Sequence, residues 1–147
     1  NAHRIKGLGP NSWGMSACMS PTTGYSGQYG SHPIGHGHPL LEDGTVAPYG
    51  ALSFLPFTPK ESIDALKYMY RIPGLVGKYG LYDAYSYQTK ARGDQPWIAE
   101  SYLGIDKGLV LLMFENYSTQ LIWKLLHQNT HIQKGLEVLG FEHKPSL

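Results

Sequence analysis

The carboxylates are the residues of this sequence best suited to chemistry, and Asp83 is the strongest candidate among eleven aspartates and glutamates. It lies in Gly80-Leu81-Tyr82-Asp83-Ala84-Tyr85, and its nearest basic neighbours along the chain are Lys78 and Lys90. A carboxyl group held among aromatic rings can have a raised pKa, which suits a general acid, or can be oriented to activate a water molecule. The alternative is that Asp83 caps a short helix that begins at Ala84.

The aromatic content indicates what such a carboxylate would act on. The chain has 11 tyrosines and three tryptophans, together with 18 glycines and 10 prolines. Tyrosine and tryptophan present a flat apolar body with a polar edge, and glycine and proline mark irregular segments. Long loops lining an aromatic cleft suit a sugar, whose apolar C–H faces are ringed by hydroxyls. Tyrosines that merely pack half-buried helices would give the same composition, so this alternative stays open.

Two other carboxylates need an interpretation. Glu115 follows an apolar run, so its side chain is either buried and paired or faces a cleft, which leaves a structural hydrogen-bonding role and a sugar-binding role both open. Asp106 stands beside Lys107 and is assigned a structural role.

Motifs for metal, hydrolase and dinucleotide chemistry are incomplete. His32, His36 and His38 have a spacing that could hold zinc, but no cysteine or second histidine cluster accompanies them. Ser16 does not stand in a Gly-x-Ser-x-Gly elbow, and Gly7-x-Gly9 is not followed by a strand-to-helix pattern. We therefore predict no metal site and no cofactor.

The elements that must position the candidates are mostly helices and loops. Residues 1–57 are rich in glycine and proline without clear periodicity, which predicts an ordered, winding loop with at most a turn of helix. Thr58 as cap, Pro59 at the first helical position and Glu61 in a capping box predict a helix that ends near Ile72.

Three further helices are predicted in the second half of the chain. A tyrosine-rich irregular stretch over 74–92 precedes a long helix over about 97–116, and shorter helices follow over about 119–128 and 130–139, the last one ended by Gly140. Leu121, Ile122, Leu125 and Leu126 are expected to face inward. Since no run alternates cleanly with period two, the fold class is mainly α.

The whole-chain numbers exclude several classes of partner. A net charge of +1 gives no strong field for nucleic acid or acidic lipid. The longest apolar run, residues 108–114, is shorter than the roughly 20 residues needed to span a bilayer. The single cysteine, Cys18, cannot form a disulfide within the chain.

Seven short motifs occur in an order that resembles the glycoamylase-like family. They are Trp13-Gly14-Met15-Ser16-Ala17-Cys18, Gly24-Tyr25, Asp43-Gly44-Thr45-Val46-Ala47-Pro48, Pro56-Phe57-Thr58-Pro59-Lys60-Glu61-Ser62, Gly77-Lys78-Tyr79-Gly80-Leu81-Tyr82-Asp83-Ala84, Tyr102-Leu103-Gly104-Ile105-Asp106-Lys107-Gly108 and Glu115-Asn116-Tyr117. Each motif alone is weak, but their order over about residues 7–141 is specific.

The resemblance implies part of an (α/α)6 toroid with long Gly/Pro/Tyr-rich loops, acting on β-linked glucan and found in the periplasm or outside the cell. Residues 1–147 would be the C-terminal portion of one catalytic domain, whose N-terminal helices lie outside this chain or in a companion chain. The function implied is a glycoside hydrolase, most of all an endo-β-1,2-glucanase. Asp83 would be one catalytic carboxylate, the second would lie in the missing part, and the substrate-binding residues would be Trp13, Tyr25, Tyr82 and Glu115.

Two departures from the family pattern limit what the resemblance implies. Some relatives carry an acidic residue near Ala17 or Met19, whereas neither position is acidic here, which disfavours a retaining, transglycosylating mechanism. The motif at Glu115 continues Ser118-Thr119-Gln120 instead of Arg-Thr-Gly. A phosphate- or sugar-binding role for that arginine cannot be carried over. The missing acidic residue near Ala17 and Met19 motivates the second hypothesis, a non-catalytic glycan-binding or scaffold protein on the same toroid.

Overall fold

Short antiparallel strands occupy much of the glycine-rich sequence that was expected to be loop. The computed structural model describes residues 9–29, 43–90 and 93–142. Strands β1 (Cys18–Ser20) and β2 (Gly24–Ser26) form one hairpin, followed by a single turn of 3-10 helix over Gly27–Tyr29.

A three-stranded sheet forms the centre of the described part of the chain. Its order is β3 (Thr45–Val46), β6 (Ala84–Lys90) and β7 (Pro96–Ala99), all antiparallel, with an irregularity between Ser86 and Lys90. A second hairpin, β4 (Val76–Gly77) with β5 (Gly80–Leu81), precedes β6. The sheet brings Val46 and Tyr85 into one core cluster with apolar residues of the helices.

Two helices cover this sheet, and the predicted start of the longer one is confirmed. Helix α1 (Pro48–Leu52) and helix α2 (Pro59–Met69) both place proline in the first turn. The predicted capping box is wrong in detail, because the Thr58 side chain makes no capping hydrogen bond; its hydroxyl lies 3.3 Å from Ser62 Oγ instead. Helix α2 ends at Met69, three residues before the predicted end.

The prediction of a long helix over about 97–116 is half wrong. Trp97 and Ile98 lie in strand β7, where Ile98 pairs with Tyr85, and helix α3 runs over Gly104–Ser118. An apolar stripe with helical spacing continued through this strand, but pairing with β6 outweighs it, since aromatic and β-branched residues fit a pleated surface. The fold therefore contains more sheet than the expected mainly-α class.

The last two predicted helices are confirmed, although three of the four α4 residues expected to face inward are exposed and only Ile122 is half-buried. They are α4 (Leu121–His127) and α5 (Thr130–Val138), and Gly140, with φ of +78°, follows the second. Leu121, Leu125 and Leu126 are each about half exposed. None of the helices in the described ranges is long and apolar enough to cross a membrane.

Candidate active site

Asp83 stands between two strands and is oriented by a third. It follows β5 and immediately precedes β6, and its backbone N–H donates to the Ser101 carbonyl oxygen at 3.1 Å. Its Oδ2 accepts the backbone N–H of Met19, in β1, at 2.7 Å. Because Ala84 begins a strand, the interpretation of Asp83 as a helix cap is wrong. The side chain is 5% exposed, and its direction is set by the backbone of a segment 64 residues away.

Asp106 lies against Asp83, a position that the sequence analysis did not predict. It is in the first turn of α3, is also 5% exposed, and its carboxyl is within hydrogen-bonding reach of Asp83. Burial first, and then the hydrogen bond and charge of Asp83, raise the pKa of Asp106 to about 7. Oδ1 of Asp83 and Oδ2 of Asp106 are buried and have no hydrogen-bond partner among the described residues. A proton held between the two carboxyls would satisfy both oxygens.

A lysine and a tyrosine complete the polar surroundings of the pair. The Lys107 ammonium donates to the carbonyl oxygen of Leu81 and lies 5.3 Å from the centre of the Tyr102 ring. Burial lowers the pKa of Lys107, while Asp83 and Asp106 act in the opposite direction. Lys107, which follows Asp106 in the sequence, is therefore a cation that interacts with both carboxyls.

Tyr49, in α1, interacts with the Asp106 carboxyl and lines the same cavity. Its hydroxyl donates to the Ala17 carbonyl oxygen at 2.7 Å, lies 2.5 Å from Ser16 Oγ, and also interacts with Asp106. Burial, together with the charge of Asp106, raises the pKa of Tyr49 to about 12, so this residue acts as a hydrogen-bonding group and stays protonated at neutral pH.

The carboxyl pair faces a cavity of about 320 Å³. Its walls are mainly apolar and aromatic, with the charged groups concentrated in one part, which is the usual composition of a small-molecule site. Four tyrosines and three charged residues contribute to the lining: Tyr49, Tyr70, Tyr79, Tyr82, Asp83, Asp106 and Lys107. The rings of Tyr82 and Tyr102 lie 4.9 Å apart, and Tyr79 meets Tyr102 edge-on at 5.4 Å.

Of the four predicted substrate-binding residues, the structure places one in this lining. Tyr82 stands beside Asp83 in the cavity wall. Tyr25 is exposed in β2 and pairs with Met19, so it is one residue away from the backbone that orients Asp83. Trp13 is half-buried and packs against the core. Glu115, near the end of α3, accepts a hydrogen bond from the Thr119 hydroxyl at 2.6 Å. The binding role of all four residues stays a prediction.

Other candidates of the sequence analysis have structural positions or lie outside the described residues. Asp43 accepts hydrogen bonds from the Tyr29 hydroxyl at 2.7 Å and the Thr45 backbone at 3.0 Å. Burial raises the pKa of the free Cys18 thiol, so the reactive thiolate is disfavoured. The histidines at 32, 36 and 38 lie in the undescribed range 30–42. Within the described ranges, no group of three or more His, Cys, Asp or Glu side chains could hold a metal ion.

Sequence reasoning missed Asp106, Lys107 and Tyr49. The available signal was the motif Gly104-Ile105-Asp106-Lys107-Gly108, in which two charged residues stand between glycines at a helix start. Because the two charges stand next to each other in the sequence, they were interpreted as structural, and their shared position at the cavity was not predicted.

Comparisons with known proteins agree on one family. A family model described as "Putative glucoamylase" (Glycoamylase) matches residues 1–130. The chain is 34% identical over 133 residues to an exo-β-1,2-glucooligosaccharide sophorohydrolase (non-reducing end) of Parabacteroides distasonis. It is 36% identical, with a TM-score of 0.69, to the endo-β-1,2-glucanase of Chitinophaga pinensis solved with sophorotriose and glucose. A structure from Bacteroides fragilis NCTC 9343, described as a "putative glucoamylase", gives 36% identity and a TM-score of 0.73.

The matches cover almost all of this chain but a minor part of each relative. The match to the P. distasonis protein covers 89% of this chain and 16% of that protein. The match to the C. pinensis structure covers 92% of this chain and 29% of that one, and the match to the B. fragilis structure covers 99% of this chain and 31% of that one. The chain thus spans about a sixth of the curated relative and less than a third of these solved chains.

Proposed function

The chain belongs to the glycoamylase-like family, and from that premise we propose that it contributes Asp83 to a glycoside hydrolase acting on β-linked glucan, with β-1,2-glucan as the preferred substrate. The observation that carries this proposal is the buried Asp83 carboxyl at a cavity walled by tyrosines. The names of the relatives, a sophorohydrolase and an endo-β-1,2-glucanase, support the choice of linkage.

Glycoside hydrolysis needs two carboxyl groups with separate tasks. One donates a proton to the leaving glycosidic oxygen, and the other either takes a proton from water or attacks the sugar. Retaining pairs stand about 5–5.5 Å apart and inverting pairs about 6.5–9.5 Å apart. Asp83 and Asp106 are in hydrogen-bonding contact and therefore too close to flank a glycosidic bond. We accordingly propose that Asp83 works with a second carboxylate from outside the described residues.

Asp83 itself is well placed to accept a proton. Its Oδ2 accepts the Met19 N–H, and its Oδ1 would accept a proton from Asp106. These two hydrogen bonds would fix the orientation of the carboxylate and leave one lone pair on each oxygen. A water molecule in the cavity can donate to one of these lone pairs, which activates it for attack on the sugar.

The remaining elements of the site would come from further chain. The apolar faces of α3, α4 and α5 are exposed, and the relatives have three to six times the length of this chain. We propose that residues 1–147 are the C-terminal portion of an (α/α)6 toroid that is completed by the same polypeptide or a companion chain. A periplasmic or secreted location belongs to the same proposal.

Asp83→Asn in the full native polypeptide tests the assignment. Asparagine keeps the shape but cannot take up a proton, so we expect the rate of β-1,2-glucan cleavage to fall by about 10²–10⁴-fold with an unchanged unfolding temperature. Released sophorose or reducing ends measure the rate. Asp64→Asn is the matched control, because Asp64 pairs with Lys60 on the surface of α2 and should leave the rate unchanged. Cleavage at the wild-type rate by Asp83→Asn would remove Asp83 from the mechanism.

A non-catalytic glycan-binding protein is the second candidate. The backbone of Met19 orients Asp83. Some relatives are expected to carry an acidic residue near this position, whereas this chain has none there and so lacks that additional carboxylate. Calorimetric titration with β-1,2-glucan fragments, run beside the cleavage assay, separates the two functions. Binding without new reducing ends would favour this candidate.

A further inference from the structure

We infer that Asp106 is the positioning residue of the site: its protonated carboxyl donates a hydrogen bond to Asp83 and holds that carboxylate at the cavity wall. This inference rests on the proposed hydrolase function for its kinetic consequences, but the hydrogen bond itself is independent of any substrate.

The surroundings of the two carboxyls favour a shared proton. Both carboxyls are 95% buried, both line the same cavity, and each has one oxygen that receives no other donor from the described residues. Two ionised carboxylates in contact inside a low-dielectric site would repel strongly, and an unsatisfied buried oxygen is costly. One proton between them removes the repulsion and satisfies both oxygens.

The direction of the hydrogen bond follows from the neighbours of each group. Asp83 already receives the Met19 N–H at 2.7 Å, which favours its role as acceptor. The charged and titratable groups that act on Asp106 are Asp83, Lys107 of α3 and Tyr49 of α1. Asp106 in turn affects Cys18 of β1 and Tyr25 of β2, both of which are neutral when protonated. Lys107 alone favours the ionised form by its charge, and its ammonium is held by the Leu81 carbonyl.

The short contact also excludes a symmetrical role. Two carboxyls that flank a glycosidic bond need a separation of at least about 5 Å, so a pair in hydrogen-bonding contact can place only one member on the substrate. Both residues line the cavity, and we assign the substrate to Asp83, which has Tyr82 beside it in the chain and receives the Met19 N–H, so that Asp106, in the first turn of α3, acts through it.

Two variants of the full native polypeptide separate the roles. Asp106→Asn keeps an N–H donor toward Asp83 but cannot titrate, so we expect its kcat to stay within about tenfold of wild type. In the wild type, deprotonation of Asp106 should lower the activity above about pH 7, and we expect this decrease to be absent in Asp106→Asn. Asp106→Leu has no donor, and the misplaced Asp83 should lower kcat by about 10²-fold with little change in KM. Asp64→Asn again serves as control.

Three results would overturn the inference. In the first, Asp106→Asn is as inactive as Asp83→Asn, which would make Asp106 a catalytic residue. In the second, the activity of Asp106→Asn decreases at alkaline pH as the wild-type activity does. In the third, Asp106→Leu has the wild-type kcat. Asp106→Leu is judged only if its unfolding transition is intact, and otherwise Asp106→Asn decides.

A measurement without substrate keeps the inference separate from the proposed function. In ¹³C NMR of protein labelled at aspartate carboxyls, we expect one resonance to titrate near pH 7 and to vanish in Asp106→Asn. If the wild-type protein cleaves no glucan but this resonance is present, the proposed function fails and the shared proton stands. If cleavage is present and no such resonance exists, the shared proton fails and the function stands.

Discussion

At the scale of single residues, the site depends on keeping one carboxyl protonated at a pH where an exposed aspartate would be ionised. The cause is burial of Asp106 against Asp83, with Lys107 giving only partial compensation. The Met19 backbone N–H donates to Asp83, which makes the burial of this carboxyl more tolerable.

The raised pKa of Asp106 makes stability depend on pH in a definite direction. The unfolded group ionises around 3.8, whereas the folded group keeps its proton up to about pH 7. Between these values the folded state binds more protons, so the free energy of unfolding falls as pH rises, by about 1.4 kcal/mol per pH unit for this one group. Its stabilising contribution is complete below the unfolded value and is lost once the pH has passed the folded one.

We therefore expect the free energy of unfolding of Asp106→Asn to depend less steeply on pH between about 3.8 and 7, by the contribution of about one proton. Urea unfolding of wild type and variant at a series of pH values measures the difference, with Asp64→Asn as control. Parallel pH dependences for wild type and Asp106→Asn would contradict the expectation.

At the scale of elements, the β4–β5 hairpin supports the aromatic wall. A Cβ atom added at Gly77 would collide with the Tyr102 hydroxyl and the ring of Tyr82, because both rings cover the hairpin backbone. The absence of a side chain at this position lets the two rings lie 4.9 Å apart beside the cavity.

Gly77→Ala should therefore displace the Tyr82 and Tyr102 rings. We expect a loss of about 1–3 kcal/mol in the free energy of unfolding and weaker binding of β-1,2-glucan fragments. Denaturant unfolding and calorimetric titration measure the two effects. Gly27→Ala is the control, since a Cβ at Gly27 meets nothing within 4 Å. Equal behaviour of the two variants would show that the rings do not depend on the hairpin.

At the scale of the whole molecule, the apolar surface is unevenly distributed. The sheet, α1 and α2 enclose the buried clusters, whereas α4 and α5 contain no buried residue. Leu125, Val138 and Phe141 are 54%, 75% and 65% exposed. Helices of seven and nine residues are marginal in water without tertiary packing. This distribution is what we expect of a surface that other parts of a toroid cover.

Hydrogen exchange tests this expectation. In the isolated 147-residue chain, amides of α4 and α5 should exchange much faster than those of β6, because little apolar burial opposes their local unfolding. In the full native polypeptide the same amides should gain protection, and β6 serves as the internal control in both samples. Equal exchange of α4 and α5 in the two samples would contradict the proposed covering.

Local rules explain what the sequence determined by itself. Pro59 at a first helical turn, the start of α5 after Asn129, and Gly140 after the last helix follow from capping and backbone preferences that act within one or two turns. The order of short motifs identified the family and singled out Asp83, because motif residues stand next to each other along the chain.

Tertiary packing decided the rest. Strand β7 took the place of the beginning of a predicted helix, which starts only at Gly104, because its partner, β6, is brought beside it by folding. Asp83 meets Asp106 from 23 positions away and Met19 from 64, and no periodicity or spacing encodes either contact. The protonation of Asp106 is a property of that meeting, since it depends on how much water the packed elements remove and which charge they place beside it.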